Sequence, residues 1–570
     1  MDVVLVGLPG SGKSAVGRRL ASRHGARFVD LDETIETTAG RRIADIFATE
    51  GEPGFRARER SAVADLGPAD ARPEVRFVIA TGGGAVVDPR NRWWLYRGRT
   101  VVWLDGLPEA LAQRLRHSPN PRPLIAGPDP IGAIRALAAA RERFYAAGHR
   151  VNGLAPVGTV VETIEALLTE PRPTGTTLLD ATTPIGRMVI GDELLGRGLV
   201  EQLLRLGARR ALIVSEPGAW AAVGPRISAS LDAAGLPLEL TIFPTGEEAK
   251  KLAQIEIAAR ALTGLRVERG EPLVAVGGGA LGDSAGFLAA VYLRGIPLIH
   301  VPTTLVAQLD SSIGGKTAVD LPEGKNLVGA FHQPSAVIAD VATLRTLPDR
   351  QRRAALGEAV KMAALGDDRL FELLETDGEA IARGTDAAFD GGAVAELVER
   401  AAWAKVEVVL ADERERGGPP DADGTAAAGR LALNLGHSMG HALEAAAGYE
   451  GLLHGEAVAY GLRAACRIGL QTGVTPAARA ARIAALLDRL GLGVGRLGYP
   501  TAAVLERLAS DKKTAGGRLR WVLPTADGVV VRSDVPDSAV AAALGELLGP
   551  ASAGAAAERG ALADSEAAAR

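Results

Sequence analysis

Gly7-Leu8-Pro9-Gly10-Ser11-Gly12-Lys13-Ser14 fills the pattern G-x-x-x-x-G-K-S without a gap. Asp2–Val6 ahead of it is a short apolar run, and a helical pattern follows from Lys13 to His24. In this order of strand, glycine loop and helix, backbone N–H groups turn toward phosphates at a helix N-terminus. Gly7, Gly10, Ser11 and Gly12 shape the loop. Lys13 reaches the outer phosphates, and the Ser14 hydroxyl can ligate Mg²⁺. The stretch fixes a parallel α/β unit that binds ATP or GTP; it leaves the phosphate acceptor open.

Outward from the loop, Phe77–Ala80 and Thr100–Leu104 read as buried strands, and Pro108–Arg116 and Ile131–Ala147 as helices. This alternation predicts a parallel sheet with helices on both faces, closing near Leu168. Thr169–Thr183, with Pro171, Pro173 and Gly175, reads as linker. A second alternating pattern follows, with strands at Ala211–Ser215, Leu238–Phe243, Leu273–Val276 and Leu298–Val301. Beyond about Leu344 the pattern is helical, through Ala354–Ala364, Val394–Ala411, Asn434–Ala447 and Glu456–Thr472. The expected organisation is an α/β P-loop unit (residues 1–168), a linker (169–184), a second α/β domain (185–344) and an all-helical domain (345–548). Glu415–Gly429, with two prolines and four glycines, is expected to be a mobile loop, and residues 549–570 a disordered tail.

Composition narrows the class. A net charge of -4 argues against a nucleic-acid partner, whose footprint would be basic. The one cysteine, Cys466, excludes a disulfide framework and a cysteine-based zinc site. No apolar run approaches the ~20 residues that span a bilayer, and no leader precedes the first strand, so the expectation is a cytoplasmic protein without a membrane partner. Of 64 Lys plus Arg, only nine are lysine: Lys13, Lys250, Lys251, Lys316, Lys325, Lys361, Lys405, Lys512 and Lys513. In so arginine-biased a chain, each lysine is a candidate for a site that needs a compact ammonium.

For the acceptor, the first unit offers Asp30 and Asp32 after the second strand, then Arg56, the turn Gly82-Gly83-Gly84, Arg122 and Arg141. A carboxylate suits deprotonation of a hydroxyl, and guanidinium forks suit a carboxylate and a phosphate. Singly, each reads as well as a cap, a surface charge or a plain turn. Together the stretches GLPGSGKS, VDLDETIE, RRIADIFATEGEPGFR, TGGGAV and RPLI resemble shikimate kinase over about Asp2–Leu168. That resemblance implies shikimate binding by Asp32, Arg56, Gly83, Gly84 and Arg141, with Asp32 as base and Arg122 in a lid. Arg114 and Arg116 flank the place where the family often has an adenine contact.

The second part has its own glycine turn, Gly277-Gly278-Gly279, between an apolar strand and a helix; it suits a dinucleotide or a plain turn equally. Three of the eight histidines fall at His437, His441 and His454. His437 and His441 share a helix face, and Glu358 could complete a zinc set, although an isolated pair reads more readily as satisfied core or surface histidines. The runs PTGEEAKKL, VGGGALGDSAGF, VPTTLVAQLDSSIGGKTAVD, GKNLVGAFHQP, GEAVK, ADERE, NLGHSMGHALE, LHGEAVA and DKK resemble 3-dehydroquinate synthase from about Ile185 to Leu548. The resemblance implies Zn²⁺ or Co²⁺ on Glu358, His437 and His454. It implies NAD on Glu247, Lys250, Gly278, Gly279, Asp283, Thr303 and Thr304. Around the substrate it places Asp310, Lys316, Lys325, Asn326, Lys361, Lys405, Arg430, Asn434, His441 and Lys512 or Lys513. The family lacks so long an insert before Arg430, and Glu216 stands where an aspartate usually holds the ribose.

These resemblances imply two reactions. One is ATP-dependent phosphorylation of shikimate. The other is conversion of 3-deoxy-arabino-heptulosonate 7-phosphate to 3-dehydroquinate and phosphate, with NAD restored at the end. Rival readings are another sugar-phosphate cyclase or a polyol dehydrogenase in the second part, or a non-catalytic docking module in the first. A homodimer through the second part is expected from the family.

Overall fold

The structure, a computed structural model, describes residues 2–69, 74–116, 129–169, 175–415, 425–426, 428–509, 514–515 and 518–549. The mobile loop and the tail expected from the sequence lie mostly outside the described residues.

The first sheet is five-stranded and parallel, in the order β2-β3-β1-β4-β5: β1 (Asp2–Val6), β2 (Arg27–Asp30), β3 (Phe77–Ala80), β4 (Thr100–Asp105) and β5 (His149–Asn152). The central strand β1 is buried along its whole length, as its unbroken Val-Val-Leu-Val run requires of a strand covered on both faces. The P-loop leaves its C-terminal end and enters the helix Lys13–His24, where sheets of this kind bind ligands.

The second sheet has seven strands in the order β6-β7-β14-β11-β10-β8-β9. They are β6 (Thr176–Thr183), β7 (Gly186–Asp192), β8 (Ala211–Ser215), β9 (Leu238–Ile242), β10 (Leu273–Gly277), β11 (Leu298–Pro302) and, after a hairpin, β14 (Ala336–Asp340). The hairpin strands are β12 (Lys316–Leu321) and β13 (Gly324–Phe331), paired antiparallel. One expectation is corrected here: Thr176–Thr183, read as linker, forms β6 and pairs antiparallel with β7. Its threonines are β-formers, and Leu178 and Leu179 are buried; the prolines at 171 and 173 outweighed that pattern in the sequence reading.

Helices carry the rest, among them Asp349–Ala364, Ala393–Ala411, His437–Ala446 and His454–Gln471. The first of these has an almost continuous buried run from Ala354 to Ala364, including Glu358 and Lys361. A helix apolar all round is a buried one, and two charges inside it mark a site rather than a solvated face. A single apolar core runs from Val4 and Val6 in the first sheet through Trp93 and Leu179 into Leu397 and Val406 of the helical domain. The two parts therefore pack as neighbours with a shared interior.

Candidate active sites

Both sites grow from the C-terminal ends of parallel strands. In the first, Gly7 adopts φ 141°, and a Cβ there would lie 2.5 Å from the Leu104 carbonyl, so only glycine fits. The Lys13 ammonium donates to the carbonyls of Gly7 (2.8 Å) and Leu8 (3.0 Å), and the Ser14 hydroxyl donates to Asp30 Oδ2 at 2.6 Å. Asp30 also caps the helix Leu31–Ala39 through the Asp32 N–H. Asp30 is thus both a cap and a neighbour of the Mg²⁺-type hydroxyl.

The turn after β3 gathers the other candidates. A Cβ on Gly82 would meet Asp32 Oδ1 at 2.7 Å, and one on Gly84 would meet both terminal nitrogens of Arg56 at 2.8 Å. Arg141 and the Tyr145 hydroxyl both donate to the Gly83 carbonyl, at 2.9 and 2.6 Å. Arg56 stands on the helix Ile43–Ala64, which breaks at Gly51 (φ 68°), and donates to Glu59 Oε2 at 2.8 Å. Glu59 is buried, and burial pushes its carboxyl above the usual range against the pull of Arg56. Glu59 and Tyr145 went unnoticed in the sequence because neither belongs to a motif glycine or arginine. Arg114 donates to the carbonyls of Gly153 and Leu154. Arg122 lies outside the described residues.

In the second site Gly278 caps the helix Gly279–Val291 at the end of β10, and its N–H donates to Glu216 Oε1 at 3.2 Å. The Thr303 N–H donates to the Gly277 carbonyl at 3.0 Å, and the Thr304 side chain packs against Gly278. Lys250 is buried and donates to Asp283 Oδ2 (2.8 Å) and to Asn326. Burial opposes its charge, but Asp283 outweighs it and raises its pKa. Lys325, on the hairpin, donates to Glu247 Oε1 at 2.7 Å. Lys251 is corrected: it is an exposed partner of exposed Glu248, a surface pair and not a site lysine.

Deeper in, Asp310 receives the Lys361 ammonium at 3.2 Å, and Lys405 binds both its carboxylate and its carbonyl. Burial works against the Asp310 charge, yet the two ammonium groups hold its pKa below the usual range. Lys405 itself is pushed down by burial. Lys316 and Asn434 converge on Glu415, the last residue of ADERE, with Asn434 Nδ2 at 2.8 Å. Arg430 is buried and donates to the carbonyls of Gly314 and Glu413, so its guanidinium anchors the backbone beside the site. Thr425–Ala426, at the end of the insert, pairs with Val531–Arg532. Lys512 and Lys513 lie outside the described residues.

The histidines meet at Glu358. His437 Nε2 and His454 Nε2 lie 3.4 and 3.1 Å from Glu358 Oε1, and Glu358 Oε2 is 2.5 Å from Lys361. The imidazole nitrogens of His437, His441 and His454 come within 4.8 Å of one another. His437 Nδ1 faces the Leu435 carbonyl at 3.1 Å and His454 Nδ1 faces Glu444 Oε2 at 3.3 Å. Those partners fix the tautomers and aim both Nε2 atoms inward, the pattern of histidines that ligate a metal. Burial disfavours the His454 charge, but Glu358 and Glu444 override it and raise its pKa to about 10. A dication among these groups would answer the same negative charge, so the donor set fits Zn²⁺ or Co²⁺.

Family models match in three segments: shikimate kinase over residues 9–154, 3-dehydroquinate synthase N-terminal over 240–354 and 3-dehydroquinate synthase C-terminal over 355–514. The 3-dehydroquinate synthase of Caulobacter vibrioides is 40% identical over 379 residues, 64% of this chain and 98% of its own length. That of Symbiobacterium thermophilum is 41% identical over 366 residues, 62% of this chain and 98% of its own.

The chain belongs to the 3-dehydroquinate synthase family, with a shikimate kinase domain ahead of the synthase. It is a bifunctional shikimate-pathway enzyme, a phosphotransferase joined to a lyase. Among solved structures, the synthase half resembles the 2-epi-5-epi-valiolone synthase of Streptomyces hygroscopicus subsp. jinggangensis, solved with NAD⁺ and Zn²⁺. The two share 28% identity at a TM-score of 0.57, covering 63% of this chain and 96% of that one. A 2-deoxy-scyllo-inosose synthase, solved with NAD⁺ and Co²⁺, gives 25% identity at 0.55, covering 66% and 100%. Those cyclases share the fold, while the 3-dehydroquinate synthases are closer in sequence, which disfavours the rival cyclase reading. Glu415 and Glu444 were missed in the sequence because each shows its role only where the chain folds back on Asn434 and His454.

Proposed function

We propose that the kinase half phosphorylates shikimate through Asp32. The carboxylate would take the proton of the acceptor hydroxyl as its oxygen attacks the outer phosphorus of ATP and ADP leaves. Lys13 and Ser14, with Mg²⁺, would hold the phosphates, and the Arg56 and Arg141 forks would fix the substrate carboxylate. Arg122 would contact the transferring phosphate.

In the synthase half, Glu358, His437 and His454 would hold Zn²⁺ or Co²⁺, and Gly278, Gly279, Asp283, Glu247, Lys250, Thr303 and Thr304 would hold NAD. When bound, NAD supplies a reversible hydride acceptor, and the metal supplies a Lewis acid for hydroxyl and ketone oxygens. Lys316, Lys325, Asn326, Lys361, Lys405, Arg430, Asn434 and one of Lys512 or Lys513 would surround the heptulosonate phosphate. His441, beside the two ligand histidines, would move hydroxyl protons. The proposal also places the enzyme in the cytoplasm as a homodimer through its synthase half.

The observation that carries this reading is the cluster of buried Glu358, His437 and Lys361 with half-buried His454, which joins a metal-type donor set to an ammonium for an anionic substrate. The test is one purified chain given each substrate. Phosphate release from the heptulosonate phosphate without net NADH, and ATP-dependent phosphorylation of shikimate, are expected. Accumulating NADH would make the second half a dehydrogenase. A folded chain that binds ATP without phosphorylating shikimate would make the first a docking module.

A further inference from the structure

The kinase and synthase halves meet through the kinase helix Pro89–Tyr96, which begins five residues after Gly84, the last residue of the Gly82–Gly84 turn. Arg92 on that helix is fully buried. Its guanidinium donates to both carboxylate oxygens of Glu399, on the synthase helix Ala393–Ala411, and to the Val86 carbonyl. The same group stacks on the Phe144 ring at 4.0 Å. Both kinase contacts lead to the shikimate cradle. Val86 is the middle residue of the short helical turn Ala85–Val87 that follows Gly84, and Phe144 precedes Tyr145, whose hydroxyl holds the Gly83 carbonyl.

A buried guanidinium without its carboxylate would have to move toward water or draw water in. Either movement would release Val86 and Phe144 together. The surrounding contacts leave little slack: Arg90 binds Glu396 at 2.7 Å and the Gly391 carbonyl at 2.8 Å, and Trp93 Nε1 donates to the Asp390 carbonyl at 2.6 Å.

We propose that Glu399, a residue of the synthase half, is a positioning residue for the kinase reaction, acting through Arg92 on the turn and helix that cradle shikimate. The inference rests on the assignment of shikimate to Gly83, Gly84, Arg56 and Arg141. It places part of the kinase's precision outside the kinase domain, and it gives the fusion a physical consequence although the two reactions do not share an intermediate.

Steady-state kinase assays on the full chain test this, with synthase turnover and thermal unfolding measured on the same samples. Glu399→Gln is expected to raise the shikimate KM roughly five- to tenfold, with the ATP KM and the synthase rate unchanged. A merely structural pair would not move one KM and spare the other. An unchanged shikimate KM in folded Glu399→Gln overturns the inference. If that variant unfolds, the apolar pair Arg92→Met with Glu399→Leu removes both charges at once and is read in the same way: a raised shikimate KM supports the inference, and a parent-like one overturns it. Arg141→Lys is the reference. If it raises the shikimate KM while neither Glu399 variant does, the positioning role fails alone. If it too leaves the KM unchanged, the shikimate site is misassigned and the inference falls with it.

Discussion

Glu444 Oε2 lies 3.3 Å from His454 Nδ1, on the side of the ring opposite Glu358. The contact orients the imidazole and keeps its Nε2 aimed at the cluster. Glu444→Gln should therefore weaken Zn²⁺ affinity by roughly 10–100-fold while sparing the kinase. Competition with a chromogenic chelator reads the affinity without reference to turnover. An unchanged affinity would remove Glu444 from the metal site.

The glycine turn of the kinase predicts two distinct failures. A Cβ at Gly84 falls on the Arg56 fork, so Gly84→Ala should raise the shikimate KM about tenfold or more and leave the ATP KM alone. A Cβ at Gly82 falls on Asp32 Oδ1, so Gly82→Ala should act mainly on kcat by displacing the proposed base. Steady-state kinetics of both variants separate the two; identical profiles would contradict the assignment of roles.

Much of this was legible in the sequence, for reasons that differ by element. The P-loop could be read because its glycines, lysine and serine act locally, within one strand-to-helix turn. His437 and His441 could be read because four residues on a helix share a face. Glu59, Tyr145, Glu415 and Glu444 could not, since each matters through a partner that only the fold supplies. Strand β6 was hidden by the prolines before it. The contact of Arg92 with Glu399, 307 residues apart in sequence, had no local signal at all.

The neighbouring lysines 250 and 251 give an internal comparison. Lys250 is buried against Asp283, whereas Lys251 is exposed with Glu248. Lys250→Ala should weaken NAD binding about 10–100-fold, the worth of a charge-assisted contact. Lys251→Ala should leave NAD binding intact and change stability by less than ~1 kcal/mol. Isothermal titration with NAD and urea unfolding check both; equal effects would contradict the burial argument.

A pH effect follows from His300 on β11. Burial, with His332 nearby, lowers its pKa to about 4, against ~6.5 in an unfolded chain. Between those values the unfolded chain takes up a proton that the folded chain refuses. The stability contributed by neutral His300 is complete above ~6.5 and is lost as pH falls through 4, by ~3 kcal/mol at pH 4. His300→Gln lacks this loss. The stability advantage of the parent over the variant should therefore shrink between pH 7 and pH 4 in urea unfolding, and a constant difference would contradict the assignment.

The central claim is that one chain holds two chemically separate active sites, each organised around its own lysine. Lys13 lies in the P-loop and Lys361 beside Glu358, and neither takes part in the contact between the halves. The most direct measurement is a paired assay of both reactions on full-length Lys13→Ala and Lys361→Ala. Lys13→Ala should abolish shikimate phosphorylation and keep dehydroquinate formation near the parent rate, and Lys361→Ala should do the reverse. Loss of both activities in either folded variant, or of neither, would contradict the account.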